Sequence, residues 1–202
     1  MTFTSLDHSA TLALNFDGGI VTDRFMWLAS ESWAWAPLYL FLLYLVWRKW
    51  GWRYMLAILL AVVVGIALSD QICNYFKETF QMLRPNRVTG VREHLHYVWN
   101  PLKESLCAFG PYGTISAHAA TTMSIFLIIG IGALRNVRLY WRCMPFWLVI
   151  VGYSRIYLGA HFLSQILAGW LLGALVAWFV LWALGMLTTH TQLRIGGPKA
   201  QK

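Results

Sequence analysis

The sequence predicts an all-α integral membrane protein, a bundle of about five transmembrane helices preceded by an N-terminal interfacial helix. Three observations support this fold class. Only 12% of the 202 residues are charged and 58% are hydrophobic, whereas about 25% of residues are charged in a typical soluble domain. Apolar runs recur at the length of about 20 residues that crosses a bilayer. Basic residues lie in short segments between these runs, which is the positive-inside pattern of membrane proteins.

The elements follow in chain order. Residues 1–23 form an N-terminal segment whose amphipathic part, residues 6–16, is expected to lie on the membrane surface. A single membrane domain is predicted over residues 24–187, and residues 188–202 form a basic cytoplasmic tail. The predicted spans cover about 25–47, 54–75, 114–134, 141–158 and 162–187.

Residues 77–112 form a long polar loop between the second and third spans. A loop of this length is usually functional or disordered. The short segments 48–53 and 135–142, like the tail, contain Arg and Lys and no acidic residue. The positive-inside rule therefore places them in the cytoplasm and the long loop outside. We expect a multi-pass protein of a bacterial inner membrane whose functional groups face the periplasm or the exterior.

The formal net charge of +8 would suggest a nucleic-acid partner for a soluble protein. No nucleic-acid-binding motif is present, so the expected partner is the phospholipid bilayer. His94 and His96 have a spacing suited to a metal, but no neighbouring carboxylate or cysteine completes a ligand set. We therefore expect no metal and no cofactor. The oligomeric state is left open.

Polar side chains are predicted to gather at the outer ends of the spans. Lys77 and Arg84 lie seven residues apart and would share one helix face if the second span continued as far as Arg84. Ser116, Ala117 and His118 open the third span, where the free N–H groups of a first helical turn can bind an anion.

A third group lies between the last two spans. Arg155 carries a planar fork of donors suited to an oxyanion. His161 can act as a nucleophile or an acid/base near neutral pH. Gln165 lies one helical turn later, so its side-chain oxygen can accept the imidazole N–H. Each group alone is explained by a basic or capped helix end. Together they form a site for a tetrahedral oxyanion, as metal-free phosphoryl transfer requires.

These residues resemble the three motifs of type 2 phosphatidic acid phosphatases, the membrane lipid phosphatases related to the vanadium haloperoxidases. The family motifs read K-x6-R-P, P-S-G-H and S-R-x5-H-x3-D. The corresponding segments here are 77–85, 115–118 and 154–165. Their order and spacing agree with the family, and the resemblance spans about residues 24–187.

The resemblance implies a metal-free mechanism. His161 would attack phosphorus and form a phosphohistidine, with Gln165 orienting its ring. His118 would protonate the leaving oxygen and then activate water for the second step. The phosphoryl oxygens would be bound by Lys77, Arg84, Arg155 and Ser116, and by backbone N–H groups such as that of Ala117.

Three positions depart from the family motifs. Ile115 and Ala117 replace the proline and glycine of the second motif, and a backbone N–H remains at both. Gln165 replaces an aspartate and adds no negative charge, so His161 is expected to be less basic than in the family. Ser164 is a second candidate to support His161.

The resulting hypothesis is a membrane phosphatase that hydrolyses a lipid phosphomonoester or diphosphate. Candidate substrates are undecaprenyl diphosphate, phosphatidylglycerol phosphate, phosphatidate and lipid A phosphate. The alternative is a protein with the same scaffold that binds or transports phospholipids without hydrolysis. The replacement of the family aspartate by Gln165 is the feature that favours this alternative. A vanadate-dependent oxidase shares the motif residues, but those relatives are soluble. Glu31 and Asp70 are expected to be intramembrane polar groups satisfied by neighbours.

Overall fold

The structure, a computed structural model, describes residues 2–190 and is mainly helical, which confirms the predicted all-α class. The helices are α1 (Phe3–Leu14), α2 (Gly19–Ser30), α3 (Ala36–Trp50), α4 (Trp52–Phe80), α5 (Ala117–Gly132), α6 (Arg138–Tyr157) and α7 (Leu163–His190). The segment between α4 and α5 contains short 3-10 turns and an antiparallel hairpin of β1 (Trp99–Asn100) and β2 (Ser105–Leu106).

Among the described residues, two helices are long and apolar enough to cross a membrane, by length and composition. They are α4 and the Leu163–Gly185 part of α7. Helix α5 is also apolar but has 16 residues, fewer than the ~20 that a bilayer requires. The arrangement of five spans therefore stays a prediction. Of the predicted tail, residues 191–202 lie outside the described residues.

The basic loops meet at one end of the bundle. Trp50 Nε1 and Lys49 Nζ, at the end of α3, donate hydrogen bonds to the carbonyl oxygen of Ala133 at 2.8 and 3.4 Å. The Tyr54 hydroxyl donates to the carbonyl oxygen of Gly132. These bonds satisfy carbonyl groups that the C-terminus of α5 leaves unpaired. The opposite end of the bundle carries the predicted site residues, where α4 and α6 end and α5 and α7 begin.

Helix α5 packs closely on α7 through two glycines that lie four residues apart on α7. A Cβ atom on Gly173 would lie 2.2 Å from the carbonyl oxygen of Ala120, and one on Gly169 would lie 2.6 Å from that of Ser116. Small residues at this spacing let two helix backbones approach closely in apolar surroundings. Because Ser116 begins α5, this contact also holds the second motif beside the third.

The first predicted span, 25–47, is interrupted. Helix α2 ends at Ser30, the backbone is extended at Glu31, and a 3-10 turn over Ser32–Trp35 precedes α3. The physical reason is Pro37 in the first turn of α3. Proline has no N–H to donate to the preceding turn and is tolerated at a helix start, so a helix restarts there rather than continuing. Glu31 therefore lies at a helix break and not within a helix.

The second predicted span continues to Phe80, beyond its predicted end at residue 75. Gln81 then adopts a left-handed conformation (φ 47°) and ends the helix. Arg84 is extended, as the residue before a proline prefers to be. The prediction that Lys77 and Arg84 share one helix face is therefore wrong, because the chain turns between them.

The N-terminal helix covers residues 3–14 and packs on the turn between α6 and α7. The Asp7 carboxylate accepts a hydrogen bond from the backbone N–H of Ser164, and Thr11 Oγ1 accepts one from that of Leu163. Asn15 donates to two carbonyl groups at the end of α6. The Ser164 hydroxyl also donates to Asp7, so Ser164 binds α1 and does not support the histidine.

Replacement of Gly173 by alanine is expected to force α5 and α7 apart, since the atom that a new Cβ meets belongs to the backbone. We expect a loss of about 2–3 kcal/mol in the free energy of unfolding, the range of overpacked cores. Leu175→Ala, on the exposed side of the same helix, is the control and should lose far less. Thermal unfolding in detergent measures both; equal stability of Gly173→Ala and the unsubstituted protein would contradict the packing described.

Candidate active site

A cavity of about 660 Å³ lies where α4 and α5 meet the turn between α6 and α7. Six of the eight predicted site residues line it. They are Lys77, Arg84, Ala117, His118, Arg155 and His161. The fold thus joins three motifs that are far apart in the sequence. Ser116 and Gln165 are not among the lining residues and lie behind the wall.

His161 lies in the turn between α6 and α7 and is only 2% exposed. Its Nδ1 atom is 2.9 Å from Gln165 Oε1 and 3.1 Å from the carbonyl oxygen of Gly113. Both partners are acceptors, so Nδ1 carries the ring proton and Nε2 keeps its lone pair. Nε2 lies 3.0 Å from the donor Nη1 of Arg84, in agreement with this tautomer. The ring nitrogen that keeps a lone pair is therefore Nε2, which accepts the hydrogen bond from Arg84.

Gly113 is a site residue that sequence reasoning missed. A Cβ atom there would lie 2.7 Å from Arg84 Cγ and 3.3 Å from His161 Nδ1, so any side chain would displace the arginine or the histidine. Its own N–H donates to the carbonyl oxygen of Met82, which ties the segment before α5 to the chain leaving α4. A glycine in a loop rich in Gly and Pro gives no sequence signal for this role.

Arg84 is fixed by backbone carbonyl groups. Nε donates to Tyr112 O at 2.9 Å, and Nη1 donates to Ala160 O at 2.8 Å. These bonds link the first motif to the segments that carry the second and third. Burial lowers the pKa of Arg84 to about 10, so the guanidinium remains charged at neutral pH.

Arg155 is buried in the last turn of α6. Its Nη1 donates to the hydroxyl of Ser30 at the end of α2, and its Nε has no hydrogen-bond partner among the described residues. The ring of Phe109 packs against both arginines, with its centroid 4.9 Å from Arg155 Cζ and 5.8 Å from Arg84 Cζ. Such cation–π contacts hold a guanidinium without neutralising it. The motifs did not predict Ser30 or Phe109 as part of the site.

Lys77 is held by a short chain of hydrogen bonds along α4. Its Nζ donates to Asn74 Oδ1 at 3.1 Å, and Asn74 Nδ2 donates to Asp70 Oδ2 at 3.2 Å. The spacing of three and four residues places these side chains on one helix face. Asp70 therefore acts on the lysine through Asn74 and does not form a direct ion pair with it.

The second motif divides into a buried helix cap, Ser116, and a half-buried histidine, His118. Ser116 Oγ caps α5 by accepting from the N–H of Ala119, and its own N–H donates to the carbonyl oxygen of Gln165. The cap aligns the start of α5 with the start of α7. His118, the second residue of α5, lines the cavity, where a ligand can reach it.

His161 is electrically neutral in the folded protein. Burial lowers the pKa of His161 well below its usual value, and the charges of Arg84 and Arg155 lower it further. The hydrogen bond to Gln165 acts in the opposite direction with a smaller effect. A neutral imidazole is the nucleophilic form, so the cationic surroundings favour the reactive state.

The expectation that no carboxylate completes a ligand set around the loop histidines is wrong for His96. His96 Nε2 is 2.9 Å from Asp23 Oδ1 and 4.0 Å from Asp17 Oδ1, and the three residues offer ligand atoms within 4.8 Å of one another. The carboxylates come from the N-terminal segment, which is distant in the sequence. The Tyr157 hydroxyl also donates to Asp23. These bonds fasten the outer loop to α2 and α6.

The family model of the PAP2 superfamily matches residues 58–188. The chain belongs to this superfamily. It is 28% identical over 173 residues to the lipid A 4'-phosphatase of Bacteroides thetaiotaomicron, covering 84% of this chain and 73% of that protein. It is 29% identical over 178 residues to the lipid A 4'-phosphatase of Porphyromonas gingivalis, covering 87% and 71%.

The fold is similar to that of a crystal structure of the PAP2-type phosphatidylglycerolphosphate phosphatase of Bacillus subtilis. The TM-score is 0.65 at 18% identity, and the match covers 95% of this chain and 89% of that one. The predicted family and its helical core are thereby confirmed. The chain is a phosphatase, as its motifs predicted. The region matched by the family model contains all three motifs and excludes α1, α2 and α3.

Acidification should destabilise the protein through His161. The unfolded chain binds a proton below the usual histidine pKa of about 6.5, whereas the folded state does not, so stability falls as pH decreases through that value. Between about pH 7.5 and pH 5.5 we expect the wild type to lose about 1 kcal/mol more than His161→Asn. Thermal unfolding of both proteins at the two pH values tests this. An equal loss of stability in the wild type and in His161→Asn would contradict a neutral, buried His161.

Proposed function

We propose that the protein is an integral membrane lipid phosphatase that works through a phosphohistidine on Nε2 of His161. The observation that carries the proposal is the fixed tautomer. Two acceptors hold the proton on Nδ1, and His161 lines a cavity together with Lys77, Arg84 and Arg155. A neutral nucleophile among three cations suits a phosphoryl group, which is an anion with a tetrahedral arrangement of oxygens.

In the first step, Nε2 forms a bond to phosphorus while the bond from phosphorus to the lipid oxygen breaks. His118 supplies the proton that the leaving oxygen needs. In the second step, His118 takes a proton from water, whose oxygen attacks phosphorus, and the P–N bond breaks to return neutral His161 and release inorganic phosphate. Gln165 holds Nδ1–H throughout and keeps Nε2 aimed at phosphorus. No step uses a metal.

The three cations bind the phosphoryl oxygens. Arg84 and Arg155 are each partly tied to neutral acceptors and not to carboxylates. Charge that develops on the phosphoryl group is therefore stabilised by donors that are already in place, and little reorganisation is needed during the reaction.

The cavity also accounts for a lipid substrate. One part of its wall on α4 is apolar and is formed by Val63, Ile66 and Ala67. Val63 and Ile66 are exposed on the outside of the bundle, where an acyl chain in a bilayer can reach them. We propose that the cavity opens toward the periplasm or the exterior and admits a lipid phosphate from the outer leaflet.

Four substrates remain candidates: lipid A phosphate, phosphatidylglycerol phosphate, phosphatidate and undecaprenyl diphosphate. The two curated relatives reported above are named as lipid A 4'-phosphatases, which favours a phosphate ester of an acylated sugar. Phosphate release from each of the four lipids by the purified protein in detergent ranks them directly.

Replacement of His161 by alanine should reduce phosphate release by about 1,000-fold or more, as expected when a nucleophile is removed from a unit that acts together. His94→Ala, which changes an exposed histidine outside the cavity, is the matched control and should retain wild-type activity. Both proteins are assayed in detergent with a chelator present. Equal rates for His161→Ala and the wild type would reject the proposed mechanism, whatever the preferred lipid.

A further inference from the structure

A second cavity, of about 540 Å³, adjoins the first. The two cavities share Ser32, His118 and Arg155 in their walls. The second cavity is built by the end of α2, the helix break at Glu31 and the hairpin of β1 and β2. These elements all precede α5, and α2 lies outside the region matched by the family model. The second cavity is therefore partly formed by parts of this chain that the family match does not describe.

The wall of the second cavity is rich in polar groups and indole rings. Glu31 is the acidic residue of this wall, and its carboxylate forms no hydrogen bond or ion pair within the described part of the chain. Arg155 adds a buried Nε without a partner. The remaining lining includes Ser30, Asn100, Lys103, Ser105, Trp27 and Trp33. A wall that combines polar groups, two of them without a partner, with aromatic rings suits a ligand with several hydroxyl groups and an apolar face.

The two histidines determine which part of a substrate reaches this second cavity. His161 lines the first cavity and not the second, whereas His118 lines both. The attacking and leaving atoms lie roughly in line across phosphorus in phosphoryl transfer. The leaving oxygen must therefore lie on the side away from His161 and close to its proton donor, His118. A group attached to that oxygen extends past His118 into the second cavity.

We propose that the second cavity is the subsite for the leaving group and that this group is a hydroxyl-bearing sugar ring of a glycolipid phosphate. The Glu31 carboxylate accepts hydrogen bonds from the sugar hydroxyls, and an indole ring packs on the sugar face. This assignment rests on the proposed function of the site. A diacylglycerol leaving group has no comparable set of hydroxyls and would leave the carboxylate unpaired, which a site built for hydroxyl groups discriminates against.

Substitution of Glu31 by glutamine tests the subsite with two substrates. One is an acylated glucosamine disaccharide bearing a phosphate on the sugar, and the other is phosphatidate. We expect kcat/KM for the sugar phosphate to fall about tenfold, the effect of weakening a hydrogen bond to a charged group. For phosphatidate, kcat/KM should stay within about twofold of the wild-type value. Glu104→Gln, an exposed acid in the β1–β2 turn outside the cavity wall, should change neither.

Three outcomes overturn the subsite and differ in what they imply. An equal fall in kcat/KM of Glu31→Gln for both substrates would mean that Glu31 acts through Arg155 and not on a sugar. An unchanged kcat/KM for both substrates would mean that Glu31 takes no part in substrate binding. A wild-type protein that hydrolyses phosphatidate alone would reject the sugar while leaving the phosphohistidine mechanism intact. Failure of the proposed function itself is recognised separately, by activity that survives in His161→Ala.

A different observation carries a second inference, which concerns α1. Asp7, Thr11 and Asn15 lie four residues apart on one face of this helix and its cap. Asp7 and Thr11 accept hydrogen bonds from the first N–H groups of α7. Asn15 donates to the carbonyl groups of Ile156 and Tyr157 at the end of α6.

These bonds hold both ends of the turn that presents His161. Thr11 bonds Leu163, two residues after the histidine, at 3.1 Å. The ring of His8 stacks on Phe162 with centroids 4.6 Å apart. We infer that α1, which lies outside the family match, is a positioning element for the nucleophile, and that Asp7, Thr11 and Asn15 act through the turn without contacting substrate.

Thr11→Val removes the hydroxyl at nearly constant volume, and Thr11→Ser keeps it as the matched control. We expect kcat of the valine variant to fall about tenfold with KM within about twofold, because misplacement of a reacting group lowers the rate of the chemical step. The serine variant should recover most of kcat. If both variants keep the kcat of the wild type and only their melting temperatures fall, the role of α1 is structural and the inference fails.

Discussion

The hydrogen-bond partners of His161 Nδ1 constrain the rest of the site. Both are acceptors, so Nδ1 must be protonated and Nε2 keeps its lone pair. One acceptor is a backbone carbonyl, which requires Gly113 to approach without a side chain. The other is the Gln165 side chain, which lies four residues after His161 in the first turn of α7. The hydrogen bond from the Ser116 N–H to the carbonyl oxygen of Gln165 ties the start of α5 to this turn.

Electrostatics explains why the cavity is prepared for an anion. Lys77, Arg84 and Arg155 line one cavity. Their direct hydrogen-bond partners are carbonyl, amide and hydroxyl oxygens and the His161 ring, none of which is a carboxylate. The one acidic group in the described wall, Asp70, reaches the lysine only through an amide. Positive charge that is held in place but not neutralised favours a phosphoryl group, since binding removes the mutual repulsion of the cations.

Replacement of the family aspartate by Gln165 is consistent with this electrostatic arrangement. An amide oxygen orients the imidazole as a carboxylate does, but it does not favour the imidazolium form. Burial and the neighbouring arginines already favour the neutral form of His161, which is the nucleophilic form of an imidazole. In the proposed mechanism, the substitution therefore preserves the geometry of His161 and changes mainly how strongly its positive form is stabilised after the attack.

Several sequence-based expectations failed for reasons of chain geometry. Lys77 and Arg84 were expected on one helix, but a left-handed residue at Gln81 ends α4 between them. For His96, no carboxylate was expected to complete a ligand set, because Asp17 and Asp23 are more than seventy residues away along the chain. Local pattern describes a segment and its spacing. It does not describe which distant segments meet it, and the second error arose at such a contact.

The sequence by itself determined the membrane class, the superfamily and the motif residues, since hydropathy, charge asymmetry and motif spacing are properties of the order of residues. Only the tertiary structure decided which nitrogen of His161 is free, because the tautomer depends on acceptors contributed by Gly113 and Gln165 together. It also decided that α1 forms hydrogen bonds to the turn around His161 and that Glu31 lines a second cavity. These features depend on contacts between segments with no regular spacing, and such contacts exist only once the chain is folded.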